Sequence, residues 1–334
     1  MTIIGIVLIL LGCLIFVISM GPKNFDFSML SSEKFEQKAY TTEKAFQSIC
    51  IDEKYGTNIN VLPSKDGICK IEYEESKNIP YDITIDADTL TIKQIDNRKW
   101  YHHINLGLYT PTLTVYLPKG AYNTLTVQAN TSDIRVSDGF SFEGLKIHIS
   151  TGDASVSADV SGELNIRAST GDITIQDSSA KTVILSVSTG DITVSNLTAS
   201  GDLSANSSTG DQKFQGVTCG NASVTTSTGK QTYIGFNCAF ANLVADTGDI
   251  RMTDLIASGD LKIETSTGDI TFERCDAATM DIFTDTGDVT GSFRTPKIIY
   301  ATSNTGKIEV PHSAEGGLCK IKTDTGKIKI SYAE

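Results

Sequence analysis

The sequence predicts an all-β protein whose main part is a single-stranded parallel β-solenoid of about eleven coils. Three observations indicate this fold class. A short motif recurs at a nearly constant interval, the residues between its copies alternate as in strands, and the repeats lack the apolar spacing of a helix. The motif is Thr-Gly-Asp or Thr-Gly-Lys, and its copies are 19 or 20 residues apart. Such a period is typical of a chain wound into coils that rest on one another.

The motif defines a corner in each coil. Its glycine favours a backbone with positive φ, and the Ser, Thr, Asn and Asp side chains beside it can hydrogen-bond turn amides or bond from coil to coil. The repeat glycines are Gly152, Gly171, Gly190, Gly210, Gly229, Gly248, Gly268, Gly287, Gly306 and Gly326, and the degenerate copy Thr131-Ser132-Asp133 precedes them.

Two columns of apolar residues indicate the interior of the solenoid. The residue five positions before the central residue of the motif is apolar in all eleven copies, and the residue four positions after it is apolar in all but Gly291. Between the columns the chain alternates, as in Leu164-Asn165-Ile166, which is the period of a strand with one buried face. Each coil is therefore expected to contain two short strands, with a second corner at segments such as Ser161-Gly162-Glu163.

A column of charged residues follows the repeat glycines. Asp holds this position in eight coils, and Lys230, Lys307 and Lys327 hold it in the other three. A row of carboxylates about 5 Å apart could collect Ca²⁺. Calcium, however, needs several oxygens that converge on one point, which a single row does not guarantee. We therefore expect each Asp to cap its own turn and face water, and we predict no metal site and no cofactor.

One place in the apolar wall is polar. Gln212 and Gln231 lie in adjacent coils at a position otherwise held by Ile, Val or Ala, beside Phe214 and Tyr233. We expect the two amides to pair as a buried ladder. A local opening of the wall is the alternative.

Two pairs among the seven cysteines are 19 residues apart, namely Cys50 with Cys69 and Cys219 with Cys238. Cys219 and Cys238 hold the same place in adjacent coils, so α-carbons about 4.8 Å apart would allow a disulfide. Stacked, buried free thiols are the alternative. Metal binding is not expected, because no His neighbours either pair.

The N-terminal segment predicts a transmembrane anchor. Ile3 to Met20 is an uncharged apolar run, and a helix of that length spans about 27 Å. A cleaved signal peptide would need a basic segment before the run and a small-residue cleavage site, and a lipoprotein reading would end the run at Cys13. The predicted divisions are the anchor (1–21), a juxtamembrane linker (22–47), an N-terminal β cap (48–120) and the solenoid (121–334).

The far end of the solenoid has no predicted cap. The last strand, Lys327-Ile328-Lys329-Ile330, is expected to be a free edge whose unpaired amides and carbonyls form a template for another strand. This edge could support self-association or strand addition by a partner. The alternative is that Lys327 and Lys329 discourage pairing by their charge.

Composition and motifs exclude several function classes. The net charge of −12 argues against nucleic acid as a partner. His102, His103, His148 and His312 lie in different contexts, and none joins a Cys, Ser or Asp in a recognisable catalytic order. No catalytic, cofactor-binding or metal-binding residue is predicted, and the protein is not expected to be an enzyme.

The Ser-Thr-Gly-Asp-Ile repeats resemble those of the bacterial "putative adhesin" β-strand-repeat family, as do Leu117-Pro118-Lys119-Gly120 and Leu125-Thr126-Val127 ahead of the first motif. The short apolar run before the array is similar to the LiaG-type members found beside envelope-stress genes in Gram-positive bacteria. The resemblance covers residues 48–334 and implies a right-handed β-helix outside the cell membrane, held there by a single-pass anchor. It supplies no catalytic residues.

These features lead to one hypothesis and two alternatives. The hypothesis is a membrane-anchored, non-enzymatic cell-envelope protein whose rod binds a protein or a wall polymer within an envelope-stress response. One alternative is a carbohydrate-active β-helix with polysaccharide lyase or hydrolase activity. The other is a passive structural spacer.

Overall fold

The computed structural model describes residues 34–98 and 109–333. Within these ranges the regular secondary structure consists of 27 β-strands that belong to one continuous sheet. Among the described residues, no helix is long and apolar enough to cross a membrane. The predicted anchor (1–21) lies outside the described residues.

The strands follow the chain in three groups. The N-terminal group is β1 (Glu36–Thr42), β2 (Ser48–Asp52), β3 (Asn58–Pro63), β4 (Cys69–Glu75), β5 (Tyr81–Asp86), β6 (Thr89–Gln94) and β7 (Thr112–Leu117). The central group is β8 (Gly120–Thr131), β9 (Ile134–Val136), β10 (Phe140–Thr151), β11 (Ala154–Val156), β12 (Asp159–Thr170), β13 (Ile173–Thr189), β14 (Ile192–Ala199), β15 (Leu203–Thr209), β16 (Gln212–Thr218), β17 (Asn221–Thr228), β18 (Gln231–Cys238), β19 (Phe240–Thr247) and β20 (Ile250–Thr253). The C-terminal group is β21 (Ile256–Thr267), β22 (Ile270–Thr286), β23 (Val289–Phe293), β24 (Lys297–Ser303), β25 (Ile308–Glu309), β26 (Gly317–Thr325) and β27 (Ile328–Tyr332).

The strands stack in parallel as a solenoid, which confirms the predicted fold class. Strands that lead into the Thr-Gly-Asp corner form a first wall, and strands that leave this corner form a second wall. The first apolar column is in register through the first wall, as the pairs Ile147↔Ile166 and Ile166↔Leu185 show. The column runs from Val127 to the C-terminal coils, and it continues below Val127 to Ile51 and Ile92.

The second apolar column is in register along the second wall, and its one exception has a packing reason. Gly291 pairs with Phe272 of the coil below. A Cβ on Gly291 would lie 2.4 Å from ring atoms of Phe272. The Phe272 ring, whose centroid is 4.9 Å from that of Phe293, therefore fills the space that a side chain at position 291 would need.

Six successive coils turn at three corners, where the sequence indicated two. The predicted second corner coincides with a register shift, for example between Val160 and Glu163. The additional corner lies six residues after the repeat glycine, where the backbone takes a left-handed conformation. The residues at this corner are Asp177, Asn196, Gly216, Gly235, Asp254 and Arg274, with φ between 48° and 63°. These residue types differ from coil to coil, so no single motif marks the corner in the sequence.

The N-terminal end contains a coil that is out of sequence order. The coil formed by β2 and β3 pairs on one side with β8 and β9, and on the other side with β6 and β7. The chain thus forms β2 and β3 first, then forms β6 and β7 on their outer side, and then crosses to their inner side to begin β8. Two coils in register with the solenoid therefore come from residues 48–120, where the sequence predicted a cap.

Antiparallel strands cover this N-terminal end. β5 pairs antiparallel with β6, β4 pairs antiparallel with β7, and β1 adds to β4. β1 lies within residues 22–47, which the sequence predicted to be a linker. Reversed strands close the stack because they interrupt the parallel winding at this end.

The C-terminal end also contains a coil out of order, and this corrects the predicted free edge. β26 lies between β22 and β24, and β27 lies between β23 and β25. After Phe293 the chain leaves one level of the stack empty and forms β24 and β25 at the next level out. It then returns through residues 310–316 and fills the empty level with β26 and β27. The last strand is therefore paired on both sides. Among the described residues, the outermost strands at this end are β24 and β25.

Candidate functional surfaces

The Thr-Gly-Asp corner depends on glycine because the backbones of successive corners nearly touch. Gly190 has φ of 144°, and a Cβ there would lie 2.1 Å from the carbonyl oxygen of Gly171. The Gly190 amide donates to the carbonyl of Thr209 at 2.9 Å. Any side chain at this position would have to push two adjacent coils apart.

The Asp at the third position of the motif binds the next coil, not its own turn. Asp172 Oδ1 accepts a 2.8 Å hydrogen bond from the backbone amide of Asp191. The same bond recurs at Asp133, Asp153, Asp191, Asp211, Asp249, Asp269 and Asp288. Stacking places each corner amide one level from the carboxylate below it, so the prediction that each Asp caps its own turn was wrong. We call these eight side chains the carboxylate ladder.

The carboxylate ladder has one interruption and one extension. Lys230 interrupts it because an ammonium cannot accept a hydrogen bond. Asn58 extends it into the coil of β2 and β3, where its Oδ1 accepts from the amide of Asp133 at 3.1 Å. In the described part of the chain, no group of three or more His, Cys, Asp or Glu side chains could hold a metal ion.

A column of buried hydroxyls was missed in the sequence. Thr265, Thr284 and Thr323 are buried, and each donates through Oγ1 to the carbonyl of a corner glycine at 3.0–3.1 Å. They lie three positions before the repeat glycine, where earlier coils carry Ile149 and Ala168. The change from apolar to hydroxyl residues at this position was the signal that could have revealed the column.

The two glutamines form the predicted amide ladder inside the wall. Gln231 Nε2 donates to Gln212 Oε1 at 3.2 Å and to the carbonyl of Val244 at 2.8 Å. Tyr233 donates its hydroxyl to Gln231 Oε1 at 3.0 Å. Its ring stacks on Phe214 with centroids 5.4 Å apart. Since both glutamines are fully buried, these bonds satisfy polar groups that would otherwise destabilise the core.

The cysteines of the described residues are free thiols. Cys219 and Cys238 are buried in adjacent coils, which is the stacked-thiol arrangement and not the disulfide. Burial raises the pKa of Cys219 to about 12 and that of Cys238 to about 11, so both stay protonated and unreactive near neutral pH. Cys50 and Cys69 lie on β2 and β4, which do not pair with each other.

The histidines do not form a catalytic group in the described residues. His148 is exposed on β10, and His312 is exposed in the loop 310–316. His102 and His103 lie outside the described residues. Between residues 131 and 293 the corners stay short, so the structure builds no loop-walled cleft along that part of the solenoid.

The N-terminal end carries several cavities. One of about 410 Å³ lies along β1, β4 and β7 and is lined by residues that include Lys38, Glu72 and Tyr73. Another of about 560 Å³ is lined by residues that include Lys54 and Asp82. Both carry acidic and basic side chains together, which suits a polar ligand better than an apolar one.

The C-terminal end presents β24 and β25 as its outer strands. Tyr300 of β24 is 64% exposed, and Ile308 of β25 is 39% exposed. Ile299 and Ala301 are half-buried against the core. The buried Lys297 turns its ammonium inward, where it pairs with the Asp276 carboxylate and donates to the carbonyl of Ala277 at 2.6 Å.

Comparison with protein families decides which group this architecture represents. A family model described as Toastrack DUF4097 matches residues 46–233 and 201–334. The chain belongs to the Toastrack DUF4097 family. The resemblance to an adhesin-type β-repeat family inferred from the repeats is thereby confirmed at the level of the family.

Solved structures resemble this Toastrack chain at low sequence identity. A "putative adhesin" from Bacteroides fragilis is 15% identical, with a TM-score of 0.35, over 90% of this chain and 99% of that one. A "putative adhesin" from Parabacteroides distasonis is 12% identical, with a TM-score of 0.40, over 90% and 98%. A "putative lipid binding protein" from the same species is 12% identical, with a TM-score of 0.39, over 87% and 98%. The Toastrack chain has no match among curated proteins.

Proposed function

We propose that this Toastrack protein is a membrane-anchored, non-enzymatic cell-envelope protein whose solenoid binds a wall polymer or a protein outside the membrane. The apolar run from Ile3 to Met20 supplies the anchor. The LiaG-type arrangement of a short anchor before a repeat array supports a role in the envelope-stress response. The names of the adhesin and lipid-binding neighbours support a binding role in preference to catalysis.

The carboxylate ladder is the observation that carries this proposal. Six of its eight Asp residues are exposed, and Asp249 and Asp288 are half-buried. The exposed Ser and Thr of the same corner stand beside them, as at Ser169 and Thr170. The pattern repeats once per level, about every 4.8 Å, along most of the solenoid. An extended chain with repeated hydroxyl or cationic groups can contact many equivalent levels at once, and many weak contacts add up to useful affinity.

Binding is tested with the full-length protein and purified wall sacculi that retain their attached polymers. The test variant carries Asp153→Asn, Asp172→Asn and Asp191→Asn, because Asn keeps the Oδ1 acceptor of the ladder and removes only the charge. The control carries Asp159→Asn, Asp177→Asn and Asp202→Asn, which removes the same charge from other exposed corners. We expect the ladder variant to co-sediment roughly tenfold more weakly and the control to match the native protein.

Equal sedimentation of both variants would argue against the ladder as the binding surface. Failure of the native protein to bind sacculi, together with no crosslinked membrane protein at a photo-reactive residue placed at Ser169, would argue against any binding role. Location is tested separately with Ser169→Cys, which is exposed. A membrane-impermeant maleimide should label this variant in intact cells well above the level of the native protein, whose Cys50 is a half-buried free thiol.

A further inference from the structure

The edge formed by β24 is the least protected strand edge of the described chain. β24 pairs with β26 on its inner side, and within residues 34–98 and 109–333 no strand pairs with its outer side. We propose that two copies of this protein associate tail to tail, with β24 of one copy pairing antiparallel with β24 of the other. The two-fold axis passes through Tyr300, the central residue of the strand. This pairing extends the first wall of both solenoids into one continuous sheet.

The composition of β24 supports pairing with another strand. Natural edge strands are commonly protected by exposed charges, proline or bulges. Residues 298–303 contain no charged residue and no proline. The one charge on the strand, at Lys297, is withdrawn from the edge because its ammonium binds Asp276 in a lower coil. The edge therefore presents unpaired amides and carbonyls without electrostatic protection.

The opposite end of the molecule shows the contrast and argues against a head-to-tail chain. Its outer strands are β1 and β5, which carry Glu36 and Lys38, and Asp82 and Asp86. These exposed charges would have to lose water to meet the uncharged β24 edge of another copy. A second β24 edge brings no such charge. A two-fold contact also closes at a dimer, whereas head-to-tail contacts produce open filaments.

The side chains of β24 complement themselves under this symmetry. Pairing about Tyr300 places Ile299 of one copy opposite Ala301 of the other, on the inner face of the sheet. Both residues are half-buried and pack against the end of the core. On the outer face, Ile298 lies opposite Thr302, and the two Tyr300 side chains lie opposite each other. The dimer thus covers the end of the core, which a solenoid otherwise closes with a capping element.

The first experiment measures the mass of the full-length protein in detergent by light scattering, with charge variants at Tyr300. Tyr300→Lys and Tyr300→Glu each place like charges opposite each other across the axis, which destabilises a strand pair. Since Tyr300 is 64% exposed, neither substitution disturbs the core. We expect each variant alone to dissociate at roughly tenfold higher protein concentration than the native dimer, and an equal mixture of the two to recover dimers.

The second experiment distinguishes this edge from association through the N-terminal segment. Tyr300→Cys places two thiols opposite each other, within the Cβ separation of about 4.5–5.5 Å typical of paired strands, so mild oxidation should give a covalent dimer. The control Phe240→Cys is 50% exposed but lies far from the edge, so it should give none. A monomeric native protein, equal crosslinking of both variants, or charge variants with the native mass at every concentration would each overturn the proposal.

Discussion

The two ends of the solenoid use the same arrangement of the chain but differ in how they are closed. At each end one coil is inserted between two coils that are adjacent to each other in the chain order, β2–β3 at one end and β26–β27 at the other. Each end also contains a buried charged residue: Glu53 in the inserted coil at the N-terminal end, and Lys297 on β24, outside the inserted coil, at the C-terminal end. Antiparallel strands then cover the first end, whereas the second ends on β24 and β25.

The two buried charges hold their coils by different bonds. Glu53 Oε1 accepts from the amides of Tyr55, Gly56 and Thr57 in its own corner, and Oε2 accepts from the Ser132 hydroxyl of the next coil at 2.9 Å. The Lys297 ammonium reaches a coil below the inserted one. Gly317 pairs with Lys297 in the inserted coil, and a Cβ on Gly317 would lie 2.1 Å from the carbonyl oxygen of Ala278. The N-terminal charge therefore shapes a corner, and the C-terminal charge ties an outer coil to an inner one.

The largest effect is expected from Glu53→Ala. This change leaves the amides of Gly56 and Thr57 and the Ser132 hydroxyl without their acceptor in a buried site, whereas the Tyr55 amide keeps Gln94 Oε1 at 2.7 Å. The free energy of unfolding should therefore fall by about 3–5 kcal/mol. Urea denaturation followed by circular dichroism measures the loss. Glu53→Gln is the matched control, since its Oε1 can still accept from the corner amides, and about 1 kcal/mol is expected. Equal losses for the two variants would contradict the role of the acceptor.

The same site gives a pH dependence of known sign. Burial raises the pKa of Glu53, and hydrogen bonds from Gly56 and Ser132 oppose the shift without cancelling it. A carboxyl whose pKa is higher in the folded state than in the unfolded state favours folding below its unfolded pKa. This contribution is lost as the pH rises through the folded pKa. The stability of the native protein relative to Glu53→Gln should therefore fall as the pH rises above about 4.3, the ordinary value for Glu. A constant difference across this range would show that Glu53 does not titrate differently on folding.

The second effect compares an interior corner with the outermost one. A Cβ on Gly210 would lie 1.9 Å from the carbonyl oxygen of Gly190, and a Cβ on Gly306 would lie 1.7 Å from that of Gly326. The clashes are similar, but the coil of Gly306 can lift away because nothing described lies above it. Gly210→Ala should therefore cost about 3 kcal/mol and Gly306→Ala about 1 kcal/mol, both measured by thermal unfolding. A larger loss of stability for Gly306→Ala than for Gly210→Ala would show that the coil of Gly306 lies inside the stack and not at its end.

The third effect is expected from Lys297→Met, which removes the bond between the outer coil and the inner one. It leaves the largely buried Asp276 carboxylate without its cation, and we expect a loss of about 2 kcal/mol. The loss should be local, because only the C-terminal coils depend on the pair. Hydrogen exchange should therefore accelerate in residues 297–332 and remain unchanged in β8 to β19. The double variant Lys297→Met, Asp276→Asn should recover part of the loss if the pair is responsible.

The interior of the solenoid could be predicted from the sequence, and its ends could not. The repeat fixes the corner glycines, both apolar columns and the paired amides of Gln212 and Gln231, because each is a property of identical coils in register. The inserted coils do not stack in chain order. Their strands, such as Ile328-Lys329-Ile330, have the ordinary apolar pattern, so the sequence does not indicate at which level of the stack they lie. Glu53 and Lys297 look like surface charges in the sequence, and only the stacking order explains their burial.

The smallest effect is expected where the carboxylate ladder reaches the inserted C-terminal coil. Asp288 Oδ1 accepts from the Lys327 amide at 2.9 Å, and Oδ2 lies 3.0 Å from the Lys327 ammonium. The amide and the ammonium together lower the pKa of Asp288. A lowered pKa contributes stability above the unfolded value of about 3.9, and that stability is lost as the pH falls through the folded pKa. Because the pair is exposed to solvent, the contribution is only about 0.5 kcal/mol.

Asp288→Asn keeps the acceptor for the Lys327 amide and removes the charge, whereas Asp288→Ala removes both. Near neutral pH the Asn variant should lose about 0.5 kcal/mol and the Ala variant about 1–1.5 kcal/mol. Below the folded pKa the Asn variant and the native protein should become equally stable, since the native carboxyl is then neutral as well. Asp191→Asn, in a central coil without a neighbouring Lys, is the control and should lose less than Asp288→Asn. An equal loss at both positions would mean that only the hydrogen bond from the Lys327 amide joins the inserted coil to the ladder. The Lys327 ammonium would then contribute nothing to stability.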